Sequence, residues 1–258
     1  MATMLEQITP LILTYNEEPN LRPCLERLRW ASDVVVIDSG STDATKQIAA
    51  EFPNTHLIVR PFDDHTSQWN FGIDAAKTNW ILSLDADYVL EAGFEQELAA
   101  LSPADDIAAF YAAIRYLIHG RPLRASLYPP RAVLFRKDRC RYEKDGHTQL
   151  LRINGRHEHL QTRIGHDDRK PLSRWFASQD KYARLEAEKL MSMPSSSLRL
   201  QDRIRRTMVL GPVFVLLYTL LARGAVLDGW RGCYYAFQRT TAEIMLSLHL
   251  LEKKLTGS

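Results

Sequence analysis

The chain reads as an α/β protein built on a parallel sheet, and three observations predict it. Apolar, β-rich runs recur at residues 8–14, 34–37, 57–59 and 80–84. Helical patterns fill the gaps: Leu21, Cys24, Leu25 and Leu28 fall at three-to-four spacing within 20–30, as do Ile48, Ala49 and Phe52 within 42–52. The runs are apolar throughout rather than alternating, as strands are when helices cover both faces of a sheet.

Each element follows in order. Ser41 and Thr42 offer N-cap oxygens to the second helix, and residues 1–101 form a Rossmann-like half. After Leu101 come extended segments at 108–118, 132–136, 149–153 and 160–165, joined by turns with Gly and Pro, so the sheet is expected to become mixed. An amphipathic helix is expected over 172–191. Pro194 to Ser197 reads as a short hinge, and the tail beyond it as almost wholly helical. The expected domains are 1–193, divided into halves 1–101 and 102–193, and a helical appendage over 194–258.

Composition narrows the class. At 258 residues, 45% hydrophobic and 25% charged, the chain is neither disordered nor collagen-like. Cys24, Cys140 and Cys233 are too dispersed for a disulfide scaffold or a cysteine zinc site, which implies a reducing compartment. Residues 1–9 hold no basic segment followed by a long apolar stretch, so no secretory signal is expected and the location reads as cytoplasmic. The net charge of +2 conceals an asymmetry: residues 1–118 carry 7 basic and 18 acidic side chains, residues 119–258 carry 26 and 13. An apolar run of 16 residues, 207–222, lies between Arg206 and Arg223 and is shorter than a spanning helix needs.

The chemistry gathers at the ends of the strands. Asp85 and Asp87, separated by Ala86, end the run 80–84 at the carboxyl edge of the sheet, where open α/β folds bind ligands. Such a pair can hold one hard divalent ion and bridge to a diphosphate. Thr14, Tyr15, Asn16 and Glu17 follow the first strand; Asp38, Ser39, Gly40, Ser41, Thr42 and Asp43 follow the second. Singly these are turn and capping residues. Three polar loops converging on one edge point to a nucleotide pocket.

These residues, with Asn70, Phe71, Gly72, Ile73 and Ala76, resemble family 2 glycosyltransferases of the GT-A fold, and among them the bacterial lipopolysaccharide-core and surface-polysaccharide glucosyltransferases. The resemblance spans roughly residues 8–170. It implies an α/β GT-A catalytic domain, a Rossmann-like nucleotide-binding half with a mixed central sheet, to which the sequence pattern adds the C-terminal helical appendage. It implies that Thr14, Tyr15, Asn16, Glu17, Asp38, Ser39, Gly40, Arg60, Asn70 and Asp85 surround a nucleotide diphosphate sugar, with a UDP-sugar the first expectation. Asp87, Asp85 and His166 are the implied ligands of Mg²⁺ or Mn²⁺.

An inverting transfer of a hexose also requires a base for the acceptor hydroxyl. Where many relatives have His-Glu this chain has His147-Thr148, which leaves Asp145, then Glu143, with His147 as a further candidate. The implied acceptor is a saccharide or glycolipid of lipopolysaccharide-core or surface-polysaccharide synthesis; no nucleic-acid partner is expected. Trp175 is a candidate for stacking on a sugar, and Arg121, Arg124, Arg131 and Arg136 cluster about Tyr128 as candidate phosphate grips. Two other readings share parts of the pattern: a sugar-phosphate nucleotidyltransferase, which lacks its Gly-rich loop here, and a non-catalytic carbohydrate- or membrane-bound scaffold, suggested by Thr148. For the tail, with 9 basic and 4 acidic residues over 198–255, two placements are open: peripheral docking on the anionic inner face of the plasma membrane, or a hairpin with Val209, Val213, Leu216, Leu217 and Leu220 as its core stripe.

Overall fold

The computed structural model describes residues 3–145 and 148–256. The chain divides into two compact units, Met1–Gly120 with Leu127–Arg169, and Arg121–Ser126 with Lys170–Ser258. The first unit alternates β1 (Ile8–Thr14), α1 (Glu18–Glu26), β2 (Val34–Asp38), α2 (Thr45–Ala50), β3 (Thr55–Val59), α3 (His65–Ala75) and β4 (Trp80–Asp85). It continues with β5 (Tyr88–Leu90), α4 (Phe94–Ala100), β6 (Ile107–Ala112) and β7 (Ile114–Ile118). After the two-residue β8 (Arg121–Pro122), which belongs to the second unit, come β9 (Arg131–Arg136), β10 (Cys140–Asp145), β11 (Thr148–Ile153), β12 (Arg156–His159) and β13 (Ile164–His166).

Seven strands form the central sheet in the order β12-β6-β9-β4-β1-β2-β3. The four strands β4, β1, β2 and β3 run parallel, and β9 runs antiparallel to β4 and β6, so the sheet is mixed. Register sets the site: Leu13 lies opposite Asp85, Thr14 opposite Asp38, and Asp38 opposite Val59, which brings the carboxyl ends of these strands to one edge. The apolar runs alternate between two cores. Ile8, Ile12, Val34 and Val36 meet Leu21, Leu25, Leu28 and Phe52 on one face, while Leu11, Val35, Ile37 and Ile81 meet Trp69 and Ile73 on the other. Gly72 lets α3 approach closely, since a Cβ there would collide with the side chain of Leu11.

The structure departs from the sequence reading beyond residue 101. The extended segment read over 108–118 is two strands in different sheets: β6 joins the central sheet, and β7 pairs parallel with β13, which in turn pairs antiparallel with β5. Both halves are rich in apolar residues, with Arg115 the one charge, and no Gly, Pro or turn residue marks the switch at Ala113. The segment 149–153 joins β10 in a separate hairpin, with Cys140 opposite Ile153 and Asp145 opposite Thr148. β12, rich in charge and fully exposed, forms the sheet edge beside β6, a composition that blunts edge-to-edge pairing.

The second unit is helical: α5 (Leu172–Ser192), a 3₁₀ turn at Ser195–Ser197, α6 (Leu200–Arg206), α7 (Leu210–Leu217), a π-helical turn at Tyr218–Ala222, a 3₁₀ turn at Ala225–Asp228 and α8 (Gly229–Thr256). Ala183, Ala187, Leu190, Leu198, Leu246 and Leu250 form its core. Glu243 is buried there and accepts from Arg205 Nη2 at 2.7 Å, with Glu186 3.7 Å from the same guanidinium. Val209, Val213 and Leu217 are exposed, and Leu216 and Leu220 are half-buried, so this line of residues is not a core stripe. No single helix among the described residues is long and apolar enough to cross a membrane.

The cysteines sit apart. Cys24 lies in the buried stripe of α1, and Cys140 donates from its thiol to Ala108 O at 3.6 Å. Burial pushes the Cys24 thiol far above its ordinary range and the Cys140 thiol up to about 11. Cys233, on α8, is half-buried.

Candidate active site

At the ends of β1 and β2 the polar residues bind one another. Asp38 is wholly buried; its Oδ1 accepts from Gly40 N (3.0 Å) and Ser41 N (2.8 Å), and its Oδ2 from Thr14 Oγ1 (2.9 Å) and Ser41 Oγ. The turn it organises needs a left-handed residue, Gly40 at φ 87°. Asn16, also left-handed at φ 55°, crosses to the same loop: its N–H donates to Ser41 Oγ and its Oδ1 accepts from Thr42 N, both at 2.7 Å. The Glu17 N–H donates to Thr45 Oγ1 (2.7 Å). Tyr15 stands exposed beside this lattice.

At the end of β3, Arg60 forks onto Asp63 (2.8 and 2.7 Å) and donates to Gln68 Oε1 (2.9 Å), and its guanidinium lies 5.3 Å from the Phe71 ring centre. The fork holds the Asp63 carboxyl well below the usual carboxylate range. Gln68 carries the network on to Ser39 Oγ (3.1 Å).

Asp85 ends β4. Two residues on, Asp87 Oδ2 lies 3.5 Å from His166 Nε2, and both side chains are only 12% exposed. The strand register makes this meeting, because β13 places His166 opposite Tyr88 of β5 and Tyr116 of β7. Three tyrosines surround the imidazole, with ring centres at 5.7 Å (Tyr88), 4.8 Å (Tyr116) and 5.1 Å (Tyr128). Burial, then the charge of Asp85, pushes the Tyr88 hydroxyl far above its ordinary range, so it stays a neutral phenol. The following turn is pinned by Asp167, buried, which accepts from Gly120 N (3.0 Å) and from Arg169 Nε (2.7 Å).

The donor set fits a hard divalent ion. His166 Nε2 and Asp87 Oδ2, 3.5 Å apart and largely buried, present a nitrogen and an oxygen donor side by side, and the other ring nitrogen, Nδ1, is buried without a hydrogen-bond partner. Among the described residues no group of three or more His, Cys, Asp or Glu is placed to hold an ion alone. Magnesium-type ions are commonly held by one or two carboxylates, with substrate phosphate oxygens and water completing the shell.

Beside Asp85 opens a cavity of about 190 Å³ lined by Ser83, Tyr88, Tyr111, Arg131, Tyr142 and Gln149, among others. The β10–β11 hairpin forms one wall and is fastened to α3. Asn70 Nδ2 donates to Tyr142 O (2.9 Å), its Oδ1 accepts from Tyr142 N (3.1 Å), and the Tyr142 ring stacks on Trp69 at 5.4 Å. Burial pushes the Tyr142 hydroxyl up to about 12. Glu143 accepts from Arg152 Nη1 at 3.2 Å on the exposed side of the hairpin. Asp145 is the last residue of β10, and His147 lies outside the described residues.

The structure thus gathers Thr14 to Glu17 with Asp38 to Gly40, gathers Asp87 with His166 near Asp85, and assigns Asn70 to the hairpin clamp. Arg60 is tied to Asp63 and Gln68. Arg131 lies over the Tyr128 ring at 5.2 Å, whereas Arg136 lies over buried Trp80 at 4.9 Å and donates to Ile107 O. Arg121, Arg124 and Trp175 belong to the second unit, where Trp175 packs edge-on against Phe176 and the Arg124 N–H donates to Asp228. Sequence reasoning missed Asn20. Buried on α1, it donates from Nδ2 to Glu17 Oε2 (2.9 Å) and Asp168 Oδ1 (3.1 Å), and its Oδ1 accepts from Arg169 N (2.8 Å). The signal was a polar residue beside Leu21 and Cys24 on the apolar face, where an unpartnered amide would be costly.

Comparison with known proteins identifies the family. The family described as glycosyl transferase family 2 matches residues 11–160. The lipopolysaccharide core biosynthesis glycosyltransferase LpsC of Rhizobium meliloti (strain 1021) is 30% identical over 117 residues, covering 43% of each chain. An uncharacterized glycosyltransferase of Rickettsia bellii (strain RML369-C) is 28% identical over 128 residues, 48% of this chain and 43% of that protein. The chain thus spans less than half the length of these curated relatives. A crystal structure of S. aureus TarS 1-349 in complex with UDP-GlcNAc is 15% identical with a TM-score of 0.47, covering 98% of this chain and 92% of that one. The family match takes in the end of β1, the Asp38 loop, Asp85 and Asp87 and the β10–β11 hairpin, and on that extent the chain belongs to glycosyl transferase family 2.

Proposed function

We propose that the protein transfers a hexose, with inversion, from a nucleotide diphosphate sugar to a saccharide acceptor of lipopolysaccharide-core or surface-polysaccharide synthesis. The observation that carries this reading is the meeting of Asp87 with His166, next to Asp85, on the strand-end edge that also holds the Asp38 loop. Tyr15 and Glu17 line the base and ribose, on a loop whose shape Asp38, Ser41 and Asn16 fix. Asp87 and His166, with Asp85 alongside, would hold Mg²⁺ or Mn²⁺, and the chemistry supplied there is neutralisation of the departing diphosphate. The sugar occupies the cavity beside Asp85, against Tyr142 and Gln149.

Asp145 takes the proton of the acceptor hydroxyl as it attacks the anomeric carbon. Glu143 is the second candidate, and its pairing with Arg152 favours Asp145. UDP-glucose is the first donor to test. A lipid-borne acceptor puts the work on the cytoplasmic face of the plasma membrane, with the protein bound peripherally. The deciding experiment is calorimetric titration of UDP-, GDP- and dTDP-sugars with and without Mn²⁺, followed by transfer assays. Binding by none of them, or turnover indifferent to EDTA, overturns the donor and metal assignments.

A further inference from the structure

Between residues 203 and 242 the chain holds six arginines and a single acidic residue, Asp228. That carboxylate is turned inward: its side chain is 9% exposed and accepts from Arg124 N (2.8 Å) and Ala125 N (3.3 Å). Among the arginines, Arg205 is committed to Glu243, whereas Arg203, Arg223 and Arg231 are exposed. Among the described residues, Arg203 and Arg223 donate only to backbone carbonyls, of Leu198 and Ser126, which leaves their charge unneutralised. The outer surface of this stretch is therefore cationic.

It is also apolar. Val209, Val213, Phe214, Leu217 and Leu221 fall at helical spacing along one face of α7 and its π-helical extension, each between 52% and 67% exposed. Trp230, at the start of α8, is 88% exposed. A face of this kind is far more apolar than the scattered single residues of ordinary soluble surfaces. The run does not continue as a spanning helix: it ends in the π-helical turn, passes through Gly224 at φ 73° and bends by 65° into α8.

We propose that this helical unit inserts a shallow apolar wedge into one leaflet of an anionic phospholipid bilayer. The proposal deepens the reading of a lipid-borne acceptor, on which it rests. The α7 face enters the acyl boundary. Trp230 and Tyr218 sit at headgroup depth, where amphipathic rings are favoured. The exposed Arg203, Arg223 and Arg231, flanking the apolar face in the chain, meet the lipid phosphates. Charge selects lipid over a second copy of the chain, because self-association through this face would bring two arginine-rich surfaces together.

The test is flotation of the intact protein with phosphatidylcholine vesicles with and without phosphatidylglycerol, across a salt series. Wild type is expected to float with the anionic vesicles, to weaken as salt rises, and to show Trp fluorescence quenching by brominated lipid that falls in Trp230→Phe. The double variant Phe214→Ser/Leu217→Ser is expected to lose about 100-fold in partitioning, the scale of withdrawing two large apolar side chains from lipid. UDP binding by calorimetry with Mn²⁺ is expected to stay unchanged in both variants, which also reports that they are folded. Wild type remaining in the soluble fraction at low salt, the double variant floating as well as wild type, or a defined dimer that the double variant disrupts would each overturn the wedge. The transferase reading fails separately, by absence of nucleotide-sugar binding in wild type.

Discussion

Asp38 and Asp87 occupy comparable places, one ending β2 and the other two residues beyond β4, yet their neighbours differ. Asp38 is enclosed, with Thr14, Gly40 and Ser41 donating to it, so its charge is spent on holding a loop. Asp87 faces a histidine at 3.5 Å, too long for a strong hydrogen bond, and that histidine has a buried nitrogen without a partner. A carboxylate held by its own chain's donors shapes a loop, and under the proposed function the one beside the histidine is the metal ligand. The difference is one of neighbours, since the residue type and the strand-end setting are shared.

The comparison breaks first at Asp87. Asp87→Ala should lower metal-dependent turnover by more than about 10³-fold, the scale of several kcal/mol of lost charge stabilisation. It should also abolish the Mn²⁺ dependence of UDP binding in calorimetry, and an unchanged dependence would move the ligand role elsewhere. Asp145→Asn tests a third aspartate on the fastened hairpin: turnover should fall about 10²-fold or more with donor affinity retained. Normal turnover there would hand the base to Glu143 or His147.

Asp38→Ala should sharpen the contrast by acting chiefly on folding. It strands buried donors from Gly40, Ser41 and Thr14, and a loss of about 3 kcal/mol is expected. In a chain of this size that is a fall of very roughly 6–12 °C in melting temperature. Wild-type melting would show that the loop is held by other bonds. The smallest effect is expected from Asn20→Ala, about 1–2 kcal/mol of stability from the lost side-chain bonds. It should be accompanied by a rise in the donor KM larger than the fall in kcat, because Glu17 and Asp168 lose their common partner. Asn20→Asp, which keeps the size but not the amide donor, should reproduce the kinetic change.

Much of the edge was legible in the sequence because continuous apolar runs of fixed length have one stable use, a doubly covered sheet, and the polar residues that follow them must emerge at its end. The regions that resisted reading share a cause. Ala108 to Ile118 is rich in apolar residues on both sides of Ala113 and has no turn residue there, so nothing local says that β6 and β7 part to different sheets. Asp38 reads the same whether its carboxylate faces its own loop or open space, since that depends on Thr14, 24 residues earlier. The spacing of Val209, Val213 and Leu217 suits a core stripe as well as an outward face, and only the packing of Glu243, Leu246 and Leu250 on the inward side of α8 decides it.

The placement of the three cysteines makes the protein a ready spectroscopic instrument. Thiol-directed reagents attack the thiolate; Cys24 and Cys140 are enclosed and held protonated at neutral pH by burial, while Cys233 is half-open on α8, one turn from Trp230 and beside Tyr234. A maleimide fluorophore or nitroxide should therefore attach at one position without any engineered substitution. It would sit next to the aromatic start of α8, where a change in the surroundings of that helix is read directly as a change in polarity or in side-chain tumbling.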